Sequence, residues 1–408
     1  MRRIPFNKLL LIGSFAVVTM MAACGHSVSQ NTSGHGLGWD KVSATSGPSP
    51  LVIHSLPDAL WYNSCTHRVE WYAAEGPATR FNPPHKYHKN DTLWFWNGHQ
   101  WLSSKTSPTY RPGGGAGDFV IAWNSNNCTA IETNTALYDL SAQSRPGQVL
   151  NPTWSWNGKR WRVASVTSPV GEAPFGVKMV YDSASRAFLL WGPEGVSSQK
   201  QWPVPTGNSD QVSNRINEMQ SMQLYLNESS ADCLLHPRSP CSTTHRIVGI
   251  AHHTVNTWMF NGSAWTEEHH SETPPLLRFE LAVYDPATYN VIMFGGLTGT
   301  YNQVHETWLW NGVTWTMTRP ATIPQVNTEY SAMAYDPLLK GVVLYDTQSH
   351  TTWLWTGTNW EKLITTNKAF PQVLERPSMV FDPATEQLIL TGGLGNPNTT
   401  WVLTGSTD

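Results

Sequence analysis

The sequence predicts an all-β fold built from six repeated units of four antiparallel strands. Three observations lead to this prediction: a tryptophan-rich motif that recurs along the chain, a second motif that precedes each copy of the first, and a composition rich in turn-forming residues. The 408 residues include 31 glycines, 28 prolines and 21 tryptophans, and 40% are hydrophobic. Such a chain can pack a core from many short strands joined by turns.

The first motif reads Trp-x-aromatic-Asn-Gly-x-x-Trp. Alternation places its first two rings on one face of a strand, Asn-Gly tolerates a positive φ in a turn, and the last Trp opens the returning strand. Each copy therefore predicts a hairpin. Five copies and a shortened sixth begin at Trp94, Trp154, Trp258, Trp308, Trp353 and Trp401.

The second motif is an apolar strand, an Asp-Pro or Asn turn, and a second apolar strand that ends in two glycines. It is clearest over residues 281–296, and Tyr345-Asp346 stands where the fifth copy is expected to have its glycine pair. Two hairpins in about 45–50 residues are typical of a propeller blade. The sequence therefore predicts a six-bladed β-propeller over residues 38–408.

The glycine pair and the tryptophans of the later strands resemble the kelch repeat, a family that includes the central domain of galactose oxidase. The resemblance is specific in the last three units and loose in the first two. Galactose oxidase relatives need a copper site with tyrosines, histidines and a Tyr–Cys crosslink. No matching set is identifiable here, so we expect no such cofactor.

The sixth unit ends after its third strand. The segment Gly38-Trp39-Asp40-Lys41-Val42 is similar to the fourth strands that begin at Trp265 and Trp360. We therefore expect residues 38–42 to be the fourth strand of the last blade, which would close the ring and remove its open edges. The alternative is that these residues are a linker and the last blade has three strands.

The amino terminus has the pattern of an export signal over residues 1–23. Arg2, Arg3 and Lys8 precede an apolar run too short to span a bilayer. The following Met21-Ala22-Ala23-Cys24-Gly25 resembles the lipobox of bacterial lipoproteins, and this resemblance implies a lipid on Cys24. The alternative is an ordinary signal peptide with a chance cysteine. Residues 24–37 are then a flexible tether, and the protein is expected outside the cytoplasm on the cell membrane or the outer membrane.

Export permits disulfides. Cys233 and Cys241 flank a short loop and are expected to pair. Cys65 and Cys128 fall at matching positions of consecutive repeats, so their pairing is plausible, although the sequence does not prove the geometry.

Long loops join the second and third strands and also join successive blades, so we expect binding on that face. The largest loop is an insertion at about 193–255 in blade three. Charged residues predicted near the channel mouth on this face are Asp58, Asp118, Lys178, Arg278, Glu280, Glu329, Glu375 and Arg376. The two arginines can bind a carboxylate or phosphate, and Glu280 and Glu329 can bind sugar hydroxyls or act as acid and base. The alternative is a solvated rim of mutual ion pairs.

Histidines concentrate around the insertion, but their spacing fits no common metal motif, so we predict no metal site. They are His236, His245, His252, His253, His269 and His270.

Charged residues make up only 13% of the chain and the net charge is −3, which argues against nucleic acid as a partner. No nucleophile elbow, P-loop or dinucleotide fingerprint is present. The sequence therefore favours a lipid-anchored module that binds a protein or a glycan. A carbohydrate-processing enzyme that uses Arg and Glu at the mouth, and an envelope assembly scaffold, are the alternatives.

Overall fold

A computed structural model describes most of the blade strands and the carboxy-terminal half of the chain. The described residues are 36–42, 59–73, 92–104, 119–134, 153–165, 177–193, 201–202, 247–248, 255–366, 370–393 and 399–405. Their one helical element with described bounds is a single turn of 3-10 helix, Thr328–Tyr330. A search of these same residues finds no helix with the length and apolarity needed to cross a membrane.

The fold is a six-bladed β-propeller in which every blade is a four-stranded antiparallel sheet. The strands of blade one are Leu60–Asn63, Arg68–Ala73, Thr92–Trp96 and Trp101–Ser103. Those of blade two are Phe119–Asn124, Thr129–Asn134, Thr153–Trp156 and Trp161–Ser165. Those of blade three are Lys178–Asp182, Ala187–Pro193, Val255–Phe260 and Trp265–Glu268. The strands of blade four are Leu281–Asp285, Asn290–Leu297, Gln303–Trp310 and Trp315–Thr318. Those of blade five are Ser331–Asp336, Gly341–Asp346, Thr351–Trp355 and Trp360–Leu363. Those of blade six are Ser378–Asp382, Gln387–Thr391, Thr400–Thr404 and Gly38–Val42.

The first strand of each blade lies innermost. First strands of successive blades contact one another around the centre from blade two to blade six and from blade six to blade one. Between the second and third strands of blade three, Gln201–Trp202 pairs with Ile247–Val248 in a separate two-stranded sheet.

The predicted ring closure is confirmed. Gly38–Val42 pairs antiparallel with Thr400–Thr404 as the outer strand of blade six. Trp39 is buried, and its indole Nε1 donates a hydrogen bond to Thr352 Oγ1 of blade five at 3.1 Å. The amino-terminal strand therefore joins the last blade to its neighbour as well as completing it.

The Asp or Asn of the second motif holds the inner hairpin turn. In blade three, Asp182 Oδ1 accepts hydrogen bonds from the backbone N–H groups of Ala184 and Ser185 at 2.9 and 3.3 Å. Arg186 then takes a positive φ of 56° before the second strand begins. A short side-chain acceptor at the first turn position is what this geometry needs.

The strand pairing corrects one detail of the predicted repeat. Ala332 pairs with Tyr345 as Leu281 pairs with Phe294. The residues that replace the glycine pair in blade five are therefore Asp346 and Thr347, one position later than the sequence motif suggested. Tyr345 instead corresponds to Phe294, the residue directly before the glycine pair of blade four.

Most tryptophans of the repeat are buried between blades, as their spacing predicted. The first Trp of a fourth strand donates its indole N–H to a threonine on the third strand of the preceding blade. This bond recurs as Trp101–Thr400 at 3.0 Å, Trp265–Thr153 at 2.8 Å, Trp315–Thr257 at 3.0 Å and Trp360–Thr307 at 3.0 Å, with Trp39–Thr352 as the fifth. The threonine always directly precedes the first Trp of its own repeat.

The junction of blades one and two departs from this pattern. Leu93 occupies the threonine position in blade one, and the buried Trp161 Nε1 finds no hydrogen-bond partner among the described residues. The same junction carries the predicted Cys65–Cys128 disulfide, which is confirmed with a Cα–Cα distance of 6.0 Å. A covalent link thus joins the two blades whose recurring hydrogen bond is missing. Cys233, Cys241 and Cys24 lie outside the described residues.

Candidate ligand site at the channel mouth

Four of the predicted mouth residues come together at the start of the inner strands. Arg278, Glu329, Glu375 and Arg376 are all partly exposed there. With two aromatic neighbours they form what we call the mouth cluster: Arg278, Phe279, Tyr301, Glu329, Glu375 and Arg376.

Two of the other four predicted residues are among the described residues. Lys178 and Glu280 are described and are buried, with 8% and 4% of their surface exposed. Asp58 and Asp118 lie outside the described residues. Their roles at the mouth stay predictions.

The segment that contains the glycine pair of blade four packs against the backbone of Arg278. The backbone N–H and C=O groups of Arg278 and Leu297 exchange two hydrogen bonds of 2.8 Å. Gly296, at φ +133°, passes so close that a Cβ there would lie 2.7 Å from Leu277 Cβ and 3.2 Å from Arg278 O. Glycine therefore permits the close approach that fixes the backbone of Arg278. Gly393 has the same role in blade six, where a Cβ would lie 2.8 Å from Glu375 O.

In blade five, a threonine hydroxyl and not a glycine pair holds the segments that lead into the mouth cluster. Thr347, which replaces the second glycine, has its hydroxyl 2.8 Å from Tyr330 O and 3.0 Å from Leu374 O, and the Leu374 N–H donates back to that hydroxyl at 3.0 Å. Tyr330 follows Glu329, and Leu374 precedes Glu375. The departure from the glycine motif therefore connects the segments that carry the two mouth carboxylates.

Glu329 lies in the 3-10 turn that precedes the first strand of blade five. The side chain of Asn327 caps this turn by accepting a hydrogen bond from the Glu329 N–H at 3.1 Å. The Arg376 N–H donates to Glu329 O at 2.6 Å. Blades five and six are thus joined by their backbones at the mouth.

Phe279 brings together side chains from two blades that are not neighbours in the ring. Arg376 of blade six places its Cζ 4.4 Å from the centre of the Phe279 ring, and Arg278 of blade four lies 5.7 Å from the same centre. Arg278 also donates to the Tyr301 hydroxyl at 2.9 Å. Cation–π contacts of this kind hold a guanidinium in a fixed orientation while leaving its edges open. The mouth cluster therefore holds two oriented guanidiniums at one place.

The ion pairs of the cluster are loose. Arg376 lies 3.9 Å from a carboxylate oxygen of Glu329 and 3.8 Å from one of Glu375, both longer than a hydrogen bond. Its Nε is buried and has no hydrogen-bond partner within the described part of the chain. Arg376 therefore has N–H donors that its two carboxylate neighbours do not satisfy.

Burial raises the pKa of Glu329 above its ordinary value, and the nearby charge of Glu375 raises it further. The charges of Arg376 and Arg278 act in the opposite direction without cancelling this effect. Glu329 is thus more ready to hold a proton than an ordinary glutamate side chain.

Two residues of the cluster have an uncommon backbone conformation. Phe279 and Arg376 take positive φ angles of 59° and 55° at equivalent places in blades four and six. Strained residues of this kind concentrate at functional sites. The sequence offered no motif for this conformation, and Phe279 and Tyr301 were not predicted to be site residues because neither carries a charge.

Together the cluster presents a second guanidinium on Arg278, donors of Arg376 that its neighbouring carboxylates do not satisfy, an aromatic face and two carboxylates. Such a set can bind an anionic group and accept hydrogen bonds from hydroxyls. No group of three or more His, Cys, Asp or Glu side chains in the described ranges is arranged to hold a metal ion. Of the predicted histidines, His236, His245, His252 and His253 lie outside those ranges.

No family model and no curated protein matches the chain. Many solved structures are similar to it in fold, among them the following two. The structure of SapL1 lectin in complex with alpha methyl fucoside is 11% identical, with 84% of this chain and 90% of that chain covered and a TM-score of 0.42. The structure of YjhT is 11% identical, with 90% of this chain and 97% of that chain covered and a TM-score of 0.49. At this identity and these scores, neither adds to what the residues of the mouth cluster imply.

Proposed function

We propose that the protein is a binding module that takes its ligand at the mouth cluster, and that the ligand is a hydroxylated carboxylate such as a uronic acid of a glycan. The observation that carries this proposal is the placement of two guanidiniums, from blades four and six, against the single ring of Phe279.

Each part of the cluster has a use in this proposal. A guanidinium matches a carboxylate with two parallel N–H donors, and the side chain of Arg376 is 41% exposed and lies beyond hydrogen-bond distance of both neighbouring carboxylates. The exposed part of Phe279 offers an apolar surface to the C–H face of a sugar ring. Glu329 and Glu375 accept hydrogen bonds from sugar hydroxyls. A neutral sugar would offer no carboxylate to the donors of Arg376 that its neighbours do not satisfy, so discrimination against it is expected.

Calorimetric titration of the full-length protein with D-glucuronate and with D-glucose tests this proposal. We expect glucuronate to bind and glucose to bind at least about tenfold more weakly. Arg376→Gln and Arg278→Gln should each weaken glucuronate binding by a similar factor. Arg186→Gln is the matched control, because Arg186 is exposed in a hairpin turn of blade three and should change nothing. Equal affinity for the two sugars, or full affinity in the double variant of the mouth arginines, would overturn the proposal.

A second candidate is a carbohydrate-processing enzyme at the same mouth. The raised pKa of Glu329 beside Arg376 favours it, because a carboxyl whose pKa is raised is better suited to act as a general acid. In this case the Glu329→Gln variant would keep its affinity for glucuronate but would no longer turn over glucuronate-bearing glycans. Chromatography of the reaction products measures this turnover. Wild-type protein that binds and releases those glycans unchanged would contradict it. The third candidate is an envelope scaffold. Pull-down of envelope proteins with the parent protein and with the mouth variants distinguishes this role from glycan binding.

We also propose that the protein is held outside the cytoplasm by a lipid on Cys24, and that its repeats belong to the kelch type. The lipobox-like sequence supports the anchor, and the Cys65–Cys128 disulfide supports an oxidising compartment. Cys24→Ser should move the protein from the membrane fraction to the soluble fraction. Unchanged membrane association would contradict lipidation.

A further inference from the structure

An open groove lies away from the mouth, on the outer strands of blade five. It has a volume of about 570 Å³. Its walls come from the loop before the third strand, from the end of the fourth strand and from the connection to blade six. The residues that matter for its chemistry are His350, Lys362, Leu363, Ile364, Thr365 and Phe370.

One wall of this outer groove is apolar and open to solvent. Phe370 stacks against the imidazole of His350 with ring centres 5.1 Å apart and an interplanar angle of 24°. Ile364 is 87% exposed and Phe370 is 43% exposed. Large apolar side chains that line a cavity while remaining exposed indicate a contact surface for an apolar group.

Several hydroxyls of the groove are already engaged by the protein. Ser349 Oγ donates to Asp346 Oδ2 at 2.6 Å. Thr351 Oγ1 accepts from Trp353 Nε1 at 3.1 Å, and Thr352 Oγ1 accepts from Trp39. These hydroxyls line the groove, but their existing hydrogen bonds leave them little capacity to bond with a ligand.

The polar groups that remain in the described part of the groove include one cation. Lys362 places its ammonium 5.9 Å from the centre of the Trp353 ring and forms no ion pair with any described residue. The Thr365 hydroxyl has no hydrogen bond among the described residues, and the buried His350 Nδ1 likewise has no partner there. No carboxylate is among the described residues that line the groove. This part of the groove therefore combines a positive charge with an apolar wall and has no carboxylate to offset that charge.

We infer that this outer groove binds a small amphipathic carboxylate. The carboxylate lies on Lys362 and Thr365, and the apolar body of the ligand covers Phe370 and Ile364. A neutral sugar fits less well, because it has no negative charge to pair with Lys362 and no apolar body to cover Phe370 and Ile364. This site is separate from the mouth cluster and stands whether or not the mouth binds glycans.

The test uses 4-phenylbutyrate and its neutral amide, 4-phenylbutyramide, as a matched pair. Their binding to the full-length protein is measured by saturation-transfer NMR and calorimetric titration. We expect saturable binding of the acid and binding about fivefold weaker for the amide, since a partly solvated charge pair contributes modestly. Lys362→Gln should weaken the acid by the same factor, and Phe370→Ala should remove saturation transfer to the phenyl protons.

Two controls locate the binding. Lys340→Gln removes an exposed lysine in a turn of blade five and should leave the affinity unchanged. Arg376→Gln alters the mouth and should also leave it unchanged, so a failure here is distinct from a failure of the mouth proposal. Both Lys362 and Phe370 are exposed, so their variants should keep the melting temperature of the parent.

Equal binding of acid and amide, an unchanged affinity in Lys362→Gln, loss of binding in Arg376→Gln, or binding only to vesicles of anionic lipid would each overturn the inference.

Discussion

The tryptophan–threonine bond between blades predicts a measurable loss of stability when its acceptor is removed. Thr307→Val keeps the shape of the side chain but deletes the hydroxyl that accepts the Trp360 N–H at 3.0 Å. Thr307 and Trp360 are 1% and 0% exposed, so water cannot replace the lost acceptor. Leaving a buried donor unsatisfied costs about 1–3 kcal/mol. For a propeller of this size, that corresponds to a fall in melting temperature of roughly 1–4 °C.

The assay is urea unfolding followed by tryptophan fluorescence and circular dichroism, with scanning calorimetry for the melting temperature. Trp360→Phe and Trp161→Phe form a matched pair. Both remove the same atoms, but only Trp360 has an indole hydrogen bond to lose. Trp360→Phe should therefore cost about 1 kcal/mol more than Trp161→Phe. The double variant of Thr307 and Trp360 should cost less than the sum of the single variants, because the same bond is lost in both.

An unchanged unfolding free energy in Thr307→Val would refute this reasoning. Equal losses in the two tryptophan variants would refute it as well, since they would mean that burial alone accounts for the cost and that the recurring bond adds nothing.

Three further predictions concern the strand that closes the ring, the disulfide between blades one and two, and the mouth cluster. Trp39→Ala should lower the free energy of unfolding by about 3–5 kcal/mol, because it empties a large buried site in the closing strand; a loss under ~1 kcal/mol would indicate that the closing strand contributes little. Replacing both Cys65 and Cys128 by Ser should cost about 4 kcal/mol for a sequence separation of 63 residues, measured by urea unfolding under oxidising conditions, and equal stability of parent and variant would contradict it. Glu329→Gln should stabilise the protein at neutral pH by less than about 1 kcal/mol, because the raised pKa makes the charged form unfavourable in the folded state. That gain should disappear below about pH 4, where the carboxyl is protonated in both states, and a gain that does not change with pH would show that the charge of Glu329 is not the cause.

The architecture could be predicted because it repeats. Each hairpin motif carries its own turn chemistry, so Asn-Gly and Asp-Pro located the strands without knowledge of their partners. The closing strand was predicted because Trp39 has the same sequence context as Trp265 and Trp360. The threonine that accepts from five of the fourth-strand tryptophans was missed, because it lies on the preceding blade and the sequence motif was defined by the tryptophan that follows it.

The mouth was predicted only in part. The topology of a propeller places the starts of the inner strands around one opening, so the charged residues there, such as Arg278 and Arg376, could be picked out. Their arrangement depends on the left-handed backbone at Phe279 and Arg376 and on the hydroxyl of Thr347. Neither feature follows from residue type or spacing, because both arise from contacts between different blades.

The most direct test of the central claim is a crystal structure of the protein soaked with D-glucuronate. The mouth proposal predicts electron density at the mouth cluster, with the carboxylate of the sugar within hydrogen-bond distance of Arg278 or Arg376 and its ring against Phe279. Density for the sugar elsewhere with an empty mouth would contradict it, as would a carboxylate that points away from both guanidiniums.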